Sequence, residues 1–164
     1  MPRSAALNAV YLLTLITVLN HVSYMGSRVL LSLYAVDLGA TPFMVGILVA
    51  LYSVMPLALS VYAGRLSDTL GHRLPMLGGS VVAALGMLMP SIFAGQWPLY
   101  ASATLIGAGF VFFNIAVQAL VGLISTPANR AHNFSTISMG YSISSLVGPL
   151  VVGDRKSTRL NSSH

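Results

Sequence analysis

The sequence contains no cysteine and very little charge. Without cysteine the chain cannot form disulfides, a thiolate nucleophile or a cysteine-based metal site. Charged residues make up 7% of the 164 residues, against about 25% in a typical globular protein, and 55% are hydrophobic. Because this composition cannot cover a water-soluble surface, we expect a protein that lies in a lipid bilayer.

Five apolar segments are each long enough to cross a bilayer, which takes about 20 helical residues. They are far longer than the roughly 10 alternating residues of a membrane barrel strand, so helices are expected rather than strands. The first is too long for a cleavable signal peptide, and no small-residue cleavage site follows it. We predict an all-α, polytopic membrane helix bundle with helices at about 9–35, 43–63, 75–94, 98–124 and 135–153.

The basic residues predict how the chain is oriented. Arg3 precedes the first predicted helix, Arg65 and Arg73 follow the second, and Arg130 follows the fourth, whereas the connections on the opposite side contain no lysine or arginine. The positive-inside rule then places the N-terminus in the cytoplasm of a multi-pass protein of the cell membrane. The net charge of +5 is scattered over short loops and forms no basic face, so no nucleic-acid partner is expected.

The last eleven residues, DRKSTRLNSSH, differ abruptly from the apolar segment before them. A polar tail is the simple interpretation. The same residues are, however, encoded in frame by a nucleotide sequence that looks like a common sequencing-library adapter. We therefore interpret 154–164 as an artefactual tail and restrict the fold prediction to residues 1–153.

Much of the scarce charge lies in one segment, GRLSDTLGHRLPML, between the second and third predicted helices. The segment resembles the loop signature of the major facilitator superfamily, G-x-L-[SA]-D-[RK]-x-G-[RK]-[RK]-x-x-[LM], at the same place between helices. Thr69 and His72 replace basic residues of that signature. The resemblance implies a cytoplasmic gating motif that latches the two halves of a transporter while it faces outward, formed here by Gly64, Arg65, Asp68, Gly71, His72 and Arg73.

The same residue types also fit an ordinary charged turn that follows the positive-inside rule. We expect Gly64 and Gly71 to relieve a tight reversal between two neighbouring helices. Asp68 offers a carboxylate to nearby guanidinium groups or to a helix N-terminus. Contacts of this kind form in one packing of the helices and break in another.

Polar side chains recur at spacings of three and four along the first predicted helix, which places them on one face. The set consists of Tyr11, Thr14, Thr17, His21, Tyr24 and Arg28. A charged residue inside a span is a functional candidate by default. The alternatives are that Arg28 reaches the outer headgroups and that His21 is a hydrogen-bonded packing residue. We predict that Arg28 favours anionic substrates and that the substrate cavity is lined by Thr17, His21, Tyr24 and Arg28.

The fourth and fifth predicted helices carry weaker signals. Asn114 and Gln118 share one face and either line the substrate cavity or form an interhelical hydrogen bond. The fourth helix lacks an arginine that proton-coupled exporters of the superfamily often carry, so proton coupling stays open. The fifth helix, GYSISSLVGPLVVG, partly resembles the glycine and proline pattern of antiporters of the superfamily. Simple packing or a bend is its expected role, through Gly140, Ser144, Gly148 and Pro149.

The resemblance covers residues about 7–153 and implies the first five helices of a six-helix half, with a substrate site near the membrane midplane. It implies secondary active transport of a small solute, with drug or metabolite efflux favoured over import of small organic anions or sugars. The segment alone should be inactive, since alternating access needs the sixth helix and the second half. A non-transporting membrane scaffold or receptor is the alternative from another class. We expect no enzyme activity, cofactor or metal, and no G-x-S-x-G element is present.

Overall fold

In the computed structural model the chain forms five α-helices. The structure describes the backbone of residues 3–161 and the side chains of residues 8–147. The helices are α1 (Arg3–Asp37), α2 (Pro42–Leu70), α3 (Arg73–Ile92), α4 (Trp97–Ile124) and α5 (Arg130–Asn161). Within the described residues, α1 to α4 are long and apolar enough to cross a membrane, and α5 does not reach that level. The prediction of an all-α bundle of five helices is confirmed.

The helices extend beyond most of the predicted boundaries, because a helix can continue past the apolar run that marked each prediction. At the start of α2, the Thr41 hydroxyl accepts a hydrogen bond from the Met44 backbone N–H at 3.4 Å, and Pro42 occupies the first turn. α5 begins before the predicted residue 135 and continues into the segment 154–164. Residues 162–164 lie outside the described chain. The artefactual origin of that segment stays a prediction.

The largest difference concerns the segment predicted to be a loop after residue 63. α2 continues through Leu70, so Gly64 is helical and does not relieve the reversal. Only Gly71 does so, since its φ of +77° is a conformation that other residues rarely adopt. Arg65 and Asp68 consequently lie in the last turns of α2.

α4 is the central helix of the bundle. Helices α2 and α3 pack on it, α5 packs along α1, and α1 makes a smaller contact with α4. Glycines let α3 and α4 approach closely: a Cβ atom added at Gly79 would lie 2.5 Å from the carbonyl oxygen of Gly109. The Ser102 hydroxyl uses this proximity to donate a hydrogen bond to the carbonyl oxygen of Gly86 at 2.6 Å. Such packing is typical of membrane helices, because lipid provides no hydrophobic force between them.

Two clusters of buried apolar side chains fill the interior. Large apolar side chains are also exposed on the outer surface. The first cluster joins α1, α2 and α4, and consists of Tyr24, Leu31, Ala35, Leu48, Tyr52, Leu99, Ala103 and Ile106. The second joins α1, α4 and α5, and consists of Leu13, Phe113, Val117, Val121 and Ile137. Leu57, Phe43 and Trp97 are largely exposed. Many large apolar side chains exposed in this way suit a protein surrounded by hydrocarbon.

We predict that Gly79→Ala weakens the contact between α3 and α4. The added methyl group meets backbone atoms that cannot move freely, so we expect a loss of stability of about 1–3 kcal/mol. The neighbouring Gly78 is the matched control, because a Cβ atom there meets nothing within 4 Å. Unfolding of the full-length protein in detergent measures the difference, and equal stability of Gly79→Ala and Gly78→Ala would contradict the close contact.

Candidate functional site

The polar face of α1 turns towards the other helices over its middle portion. Thr17 is 1% exposed and His21 is 7% exposed. Tyr24 is also buried, and Arg28 is half-buried. Tyr11, at the start of the same face, is exposed. The centre of the predicted polar stripe therefore lies inside the bundle rather than against lipid.

A closed set of hydrogen bonds joins α1 to α2 at the level of Tyr24. The Tyr24 hydroxyl donates to the carbonyl oxygen of Tyr52 at 2.9 Å, and the Tyr52 hydroxyl donates to the Ser27 hydroxyl at 3.2 Å. The Ser27 hydroxyl in turn donates to the carbonyl oxygen of Tyr24 at 2.8 Å. The two tyrosine rings meet edge to face with their centroids 5.5 Å apart. All three side chains are buried, and each of the three hydroxyls donates a hydrogen bond inside the bundle.

Sequence reasoning missed Ser27 and Tyr52 in this set. Ser27 follows Tyr24 by three residues, which is a spacing that places both near one face of α1. Tyr52 lies on a different helix, and no spacing in the sequence connects it with α1. Only the packing of α2 against α1 reveals the pair.

His21 is surrounded by aromatic rings from three helices. Its ring centroid lies 4.8 Å from that of Tyr141 on α5, 5.6 Å from that of Phe110 on α4 and 6.2 Å from that of Tyr24 on α1. Among the described side chains, three buried atoms have no hydrogen-bond partner: His21 Nδ1, Thr17 Oγ1 and the Tyr141 hydroxyl. Tyr141 was not predicted as a site residue. The rings of His21 and Tyr141 meet where α1 packs against α5.

The second predicted polar pair lies on α4 and is bonded within that helix. The Gln118 side-chain amide donates to the Asn114 side-chain carbonyl oxygen. Asn114 is half-buried and Gln118 is exposed. The observed hydrogen bond is therefore not an interhelical one, and the pair presents its polar atoms at a partly open face of α4.

A groove of about 280 Å³ opens between α1, α3 and α4. Tyr24 is the one predicted cavity residue that lines it. Its other polar lining residues, which were not predicted, are Asn20, Ser23 and Ser80. The structure thus distributes the predicted cavity residues over several places instead of gathering them in this groove.

The charged segment at the end of α2 is held by one buried side chain. Ser67 is 1% exposed, and its hydroxyl lies 2.9 Å from Nδ1 of His72. Arg65, Asp68 and Arg73 are exposed. Asp68 stands in the last turn of α2, where the helix dipole disfavours a negative charge. Its carboxylate therefore gains from pairing with a basic group or with the N-terminus of another helix.

Small residues of α5 lie against α1. A Cβ atom added at Gly140 would lie 2.8 Å from the Val18 side chain. The Ser144 hydroxyl is 2.7 Å from the carbonyl oxygen of Gly140 and 3.3 Å from that of Val18. The burial and packing of Gly148 and Pro149 lie outside what the structure describes, so the bend remains a prediction.

These features define the class of protein: a polytopic membrane bundle with glycine-lined helix crossings, polar groups inside and a charged helix end at one face. The sequence profile of the Major Facilitator Superfamily matches residues 13–153. The chain belongs to the Major Facilitator Superfamily.

Curated relatives named "Multidrug resistance protein MdtH" match the chain over 123 residues. The protein from Cronobacter sakazakii is 31% identical, and the match covers 74% of this chain and 31% of the relative. The protein from Edwardsiella ictaluri is 28% identical with the same coverage. The protein from Sodalis glossinidius is 30% identical over 74% of this chain and 30% of the relative. The chain therefore matches less than a third of the length of these relatives.

We predict that Tyr52→Phe destabilises the contact between α1 and α2 by removing the hydroxyl that donates to Ser27. Hydrogen bonds between membrane helices contribute about 0.6 kcal/mol on average and at most roughly 1.7 kcal/mol, so the loss should be modest. Tyr62→Phe is the control, because Tyr62 is largely exposed on the same helix. Unfolding of the full-length protein in mixed micelles measures both. A Tyr52→Phe variant as stable as Tyr62→Phe would contradict the assigned hydrogen bonds.

Proposed function

We propose that the chain forms the amino-terminal portion of a secondary transporter that exports a drug or metabolite by alternating access. The observation that carries this proposal is the polar face of α1, with Thr17, His21 and Tyr24 buried inside a membrane bundle. Burying polar groups within hydrocarbon costs free energy, and such groups commonly mark solute or ion pathways. Membership of the Major Facilitator Superfamily and similarity to proteins named for multidrug resistance support the proposal.

The complete transporter in this proposal contains a sixth helix and a second helical bundle. The curated relatives are more than three times as long as the matched segment, which is consistent with two six-helix halves. A small solute would bind between the halves near the midplane, at a site to which the predicted cavity residues contribute. The protein would lie in the cell membrane with its N-terminus in the cytoplasm, as the basic residues indicate.

Import of small organic anions or sugars is the second candidate function. Arg28 favours organic anions over sugars as the imported solute. Arg28 is half-buried within α1. Asp37 is exposed at the end of α1, and Asp68 is exposed near the opposite side of the membrane. A carboxylate or phosphate on the substrate would give the guanidinium a bidentate partner.

A dye transport assay with the full-length protein tests the proposal. Inside-out vesicles and intact cells are compared, with ethidium as a cationic probe and carboxyfluorescein as an anionic probe. Net movement out of the cytoplasm supports export, and movement into it supports the import alternative. Correct membrane insertion without transport of these or any other small solute would contradict the proposal and favour a scaffold or receptor.

We predict that Arg28 selects anionic solutes. Arg28→Lys keeps the charge but loses the bidentate geometry, so carboxyfluorescein transport should weaken, and Arg28→Gln should weaken it further. Transport of ethidium should not fall in parallel. Arg130→Gln is the control, because Arg130 is exposed at the start of α5. The prediction fails if Arg28→Gln leaves every tested anion unaffected, or if a cysteine at position 28 reacts only from the lipid or the outer interface in both conformations.

We predict that Asp68 acts in the cytoplasmic gate. Asp68→Asn removes the charge while keeping the shape, so transport should be lost or strongly slowed while membrane insertion is normal, because Asp68 is exposed at the end of α2. Asp37→Asn is the matched control at the other side of the membrane. Initial transport rates and surface labelling measure the two effects. Normal transport by Asp68→Asn would remove the gating assignment.

A further inference from the structure

Helices α2 and α3 each contain a proline in their interior, Pro56 in α2 and Pro90 in α3. Proline has no backbone N–H, so it cannot donate the hydrogen bond that a helix makes to the carbonyl oxygen four residues earlier. The two carbonyl oxygens that lose their helical donor in this way belong to Tyr52 and Gly86. Inside a membrane such an acceptor needs another donor, because lipid provides none.

A hydroxyl group from a neighbouring helix donates to each of these two carbonyl oxygens. The Tyr24 hydroxyl of α1 lies 2.9 Å from the carbonyl oxygen of Tyr52. The Ser102 hydroxyl of α4 lies 2.6 Å from the carbonyl oxygen of Gly86. A helix bends most easily at a proline, because the ladder of hydrogen bonds is interrupted there. Tyr24 and Ser102 therefore supply, from outside the helix, the hydrogen bond that each proline removes.

The proline site in α3 is enclosed by close packing. α3 makes a more extensive contact with α4 than any other described pair of helices makes. Ser102 is 0% exposed, and a Cβ atom added at Gly86 would lie 2.9 Å from the Ile106 side chain. The Ser102 hydroxyl cannot withdraw from its acceptor unless α3 separates from α4. This site is therefore a fixed part of the bundle.

The proline site in α2 is held by fewer contacts. α2 packs mainly on α4 and makes a much smaller contact with α1, the helix that provides Tyr24. Tyr24 also lines the groove between α1, α3 and α4, so open space adjoins its side chain. Its hydroxyl can therefore leave the carbonyl oxygen of Tyr52 without disrupting a close helix crossing. Water or a polar solute in the groove can then provide a partner for either group.

Pro56 separates two halves of α2 that are anchored differently. The first half, residues 42–55, provides every α2 residue that belongs to or packs against the first buried cluster, namely Val45, Leu48, Leu51 and Tyr52. The second half, residues 57–70, contributes to neither described cluster. Its buried residues are the small Ala63 and Ser67. The second half is therefore the part of α2 that can move.

We propose that α2 has a hinge between Tyr52 and Pro56, and that the Tyr24 hydroxyl holds this hinge in one shape. While that hydroxyl donates to the Tyr52 carbonyl oxygen, the two halves of α2 keep a fixed orientation. When it withdraws, the second half bends about Pro56 and carries the charged end of α2, with Arg65 and Asp68, to a new position. The hinge is a property of the helices alone, whereas its use in a gate rests on the proposed transport function.

The test measures distances between pairs of spin labels in the full-length protein by double electron–electron resonance. Labelled cysteines at Leu70 and Leu123 report the second half of α2 against α4, and labelled cysteines at Phe43 and Trp97 report the first half. All four side chains are exposed. Tyr24→Phe should broaden the distribution of distances between positions 70 and 123 and leave the other distribution unchanged.

Adding Pro56→Ala to Tyr24→Phe should restore the wild-type width, because alanine supplies the N–H that the Tyr52 carbonyl oxygen lacks. Ser102→Ala is the matched control. It also removes a hydroxyl that donates to a carbonyl oxygen freed by a proline, yet it should leave both α2 distributions unchanged.

Three results would overturn the hinge: no broadening in Tyr24→Phe, equal broadening of both label pairs, or broadening that Pro56→Ala does not reverse. If Tyr24→Phe yields no folded protein, the double variant decides. Recovery of folded protein by Pro56→Ala supports the hinge, since the carbonyl oxygen then has a donor within its own helix. Failure to recover overturns it.

The use of the hinge in a gate is tested separately, by the initial rate of ethidium or carboxyfluorescein transport. Pro56→Ala makes α2 continuous, so the rate should fall, whereas Leu57→Ala, at the exposed neighbouring residue, should keep it. A wild-type rate in Pro56→Ala overturns the gating role. A wild type that transports no small solute overturns the proposed function, and the label distances still decide the hinge.

Discussion

The absence of water in the hydrocarbon layer is the constraint on which the rest of this structure depends. Each polar group within a span must find its partner inside the protein, because lipid offers none. The closed hydrogen bonds among Tyr24, Ser27 and Tyr52 meet that demand and at the same time join α1 to α2. The position of α1 in the bundle follows from where its polar face can be accommodated.

Close helix contacts meet the second requirement of a membrane bundle, which is cohesion without a hydrophobic force. α3 and α4 touch through Gly79 and Gly109, and α5 touches α1 through Gly140. At these crossings dispersion forces act over backbone atoms, and the Ser102 hydroxyl reaches the facing helix directly. The glycines therefore allow these pairs of helices to lie in direct backbone contact.

Hydrogen-bond partners are distributed unevenly along the polar face of α1. The hydroxyls of Tyr24, Ser27 and Tyr52 all form hydrogen bonds. In the preceding turns of α1, His21 Nδ1 and Thr17 Oγ1 have no hydrogen-bond partner. The two levels differ in the side chains that the other helices bring to them: Tyr52 from α2 at one and Tyr141 from α5 at the other. Tyr52 completes the hydrogen bonds around Tyr24, whereas Tyr141 contributes an aromatic ring in T-shaped contact with His21.

The sequence alone determined that the chain lies in a membrane, that it is helical, and which face of α1 is polar. These properties depend on composition and on spacing along a single helix, and both can be read from neighbouring residues. The end of α2 was predicted wrongly. The continuous apolar run ends at residue 63, whereas the helix ends only at Leu70, where Gly71 adopts a positive φ. Only the tertiary structure decided that Tyr52 and Tyr141 meet the polar face, since each belongs to another helix and is brought there by packing. Asn114 and Gln118 could be predicted as a pair because they lie four residues apart on a single helix.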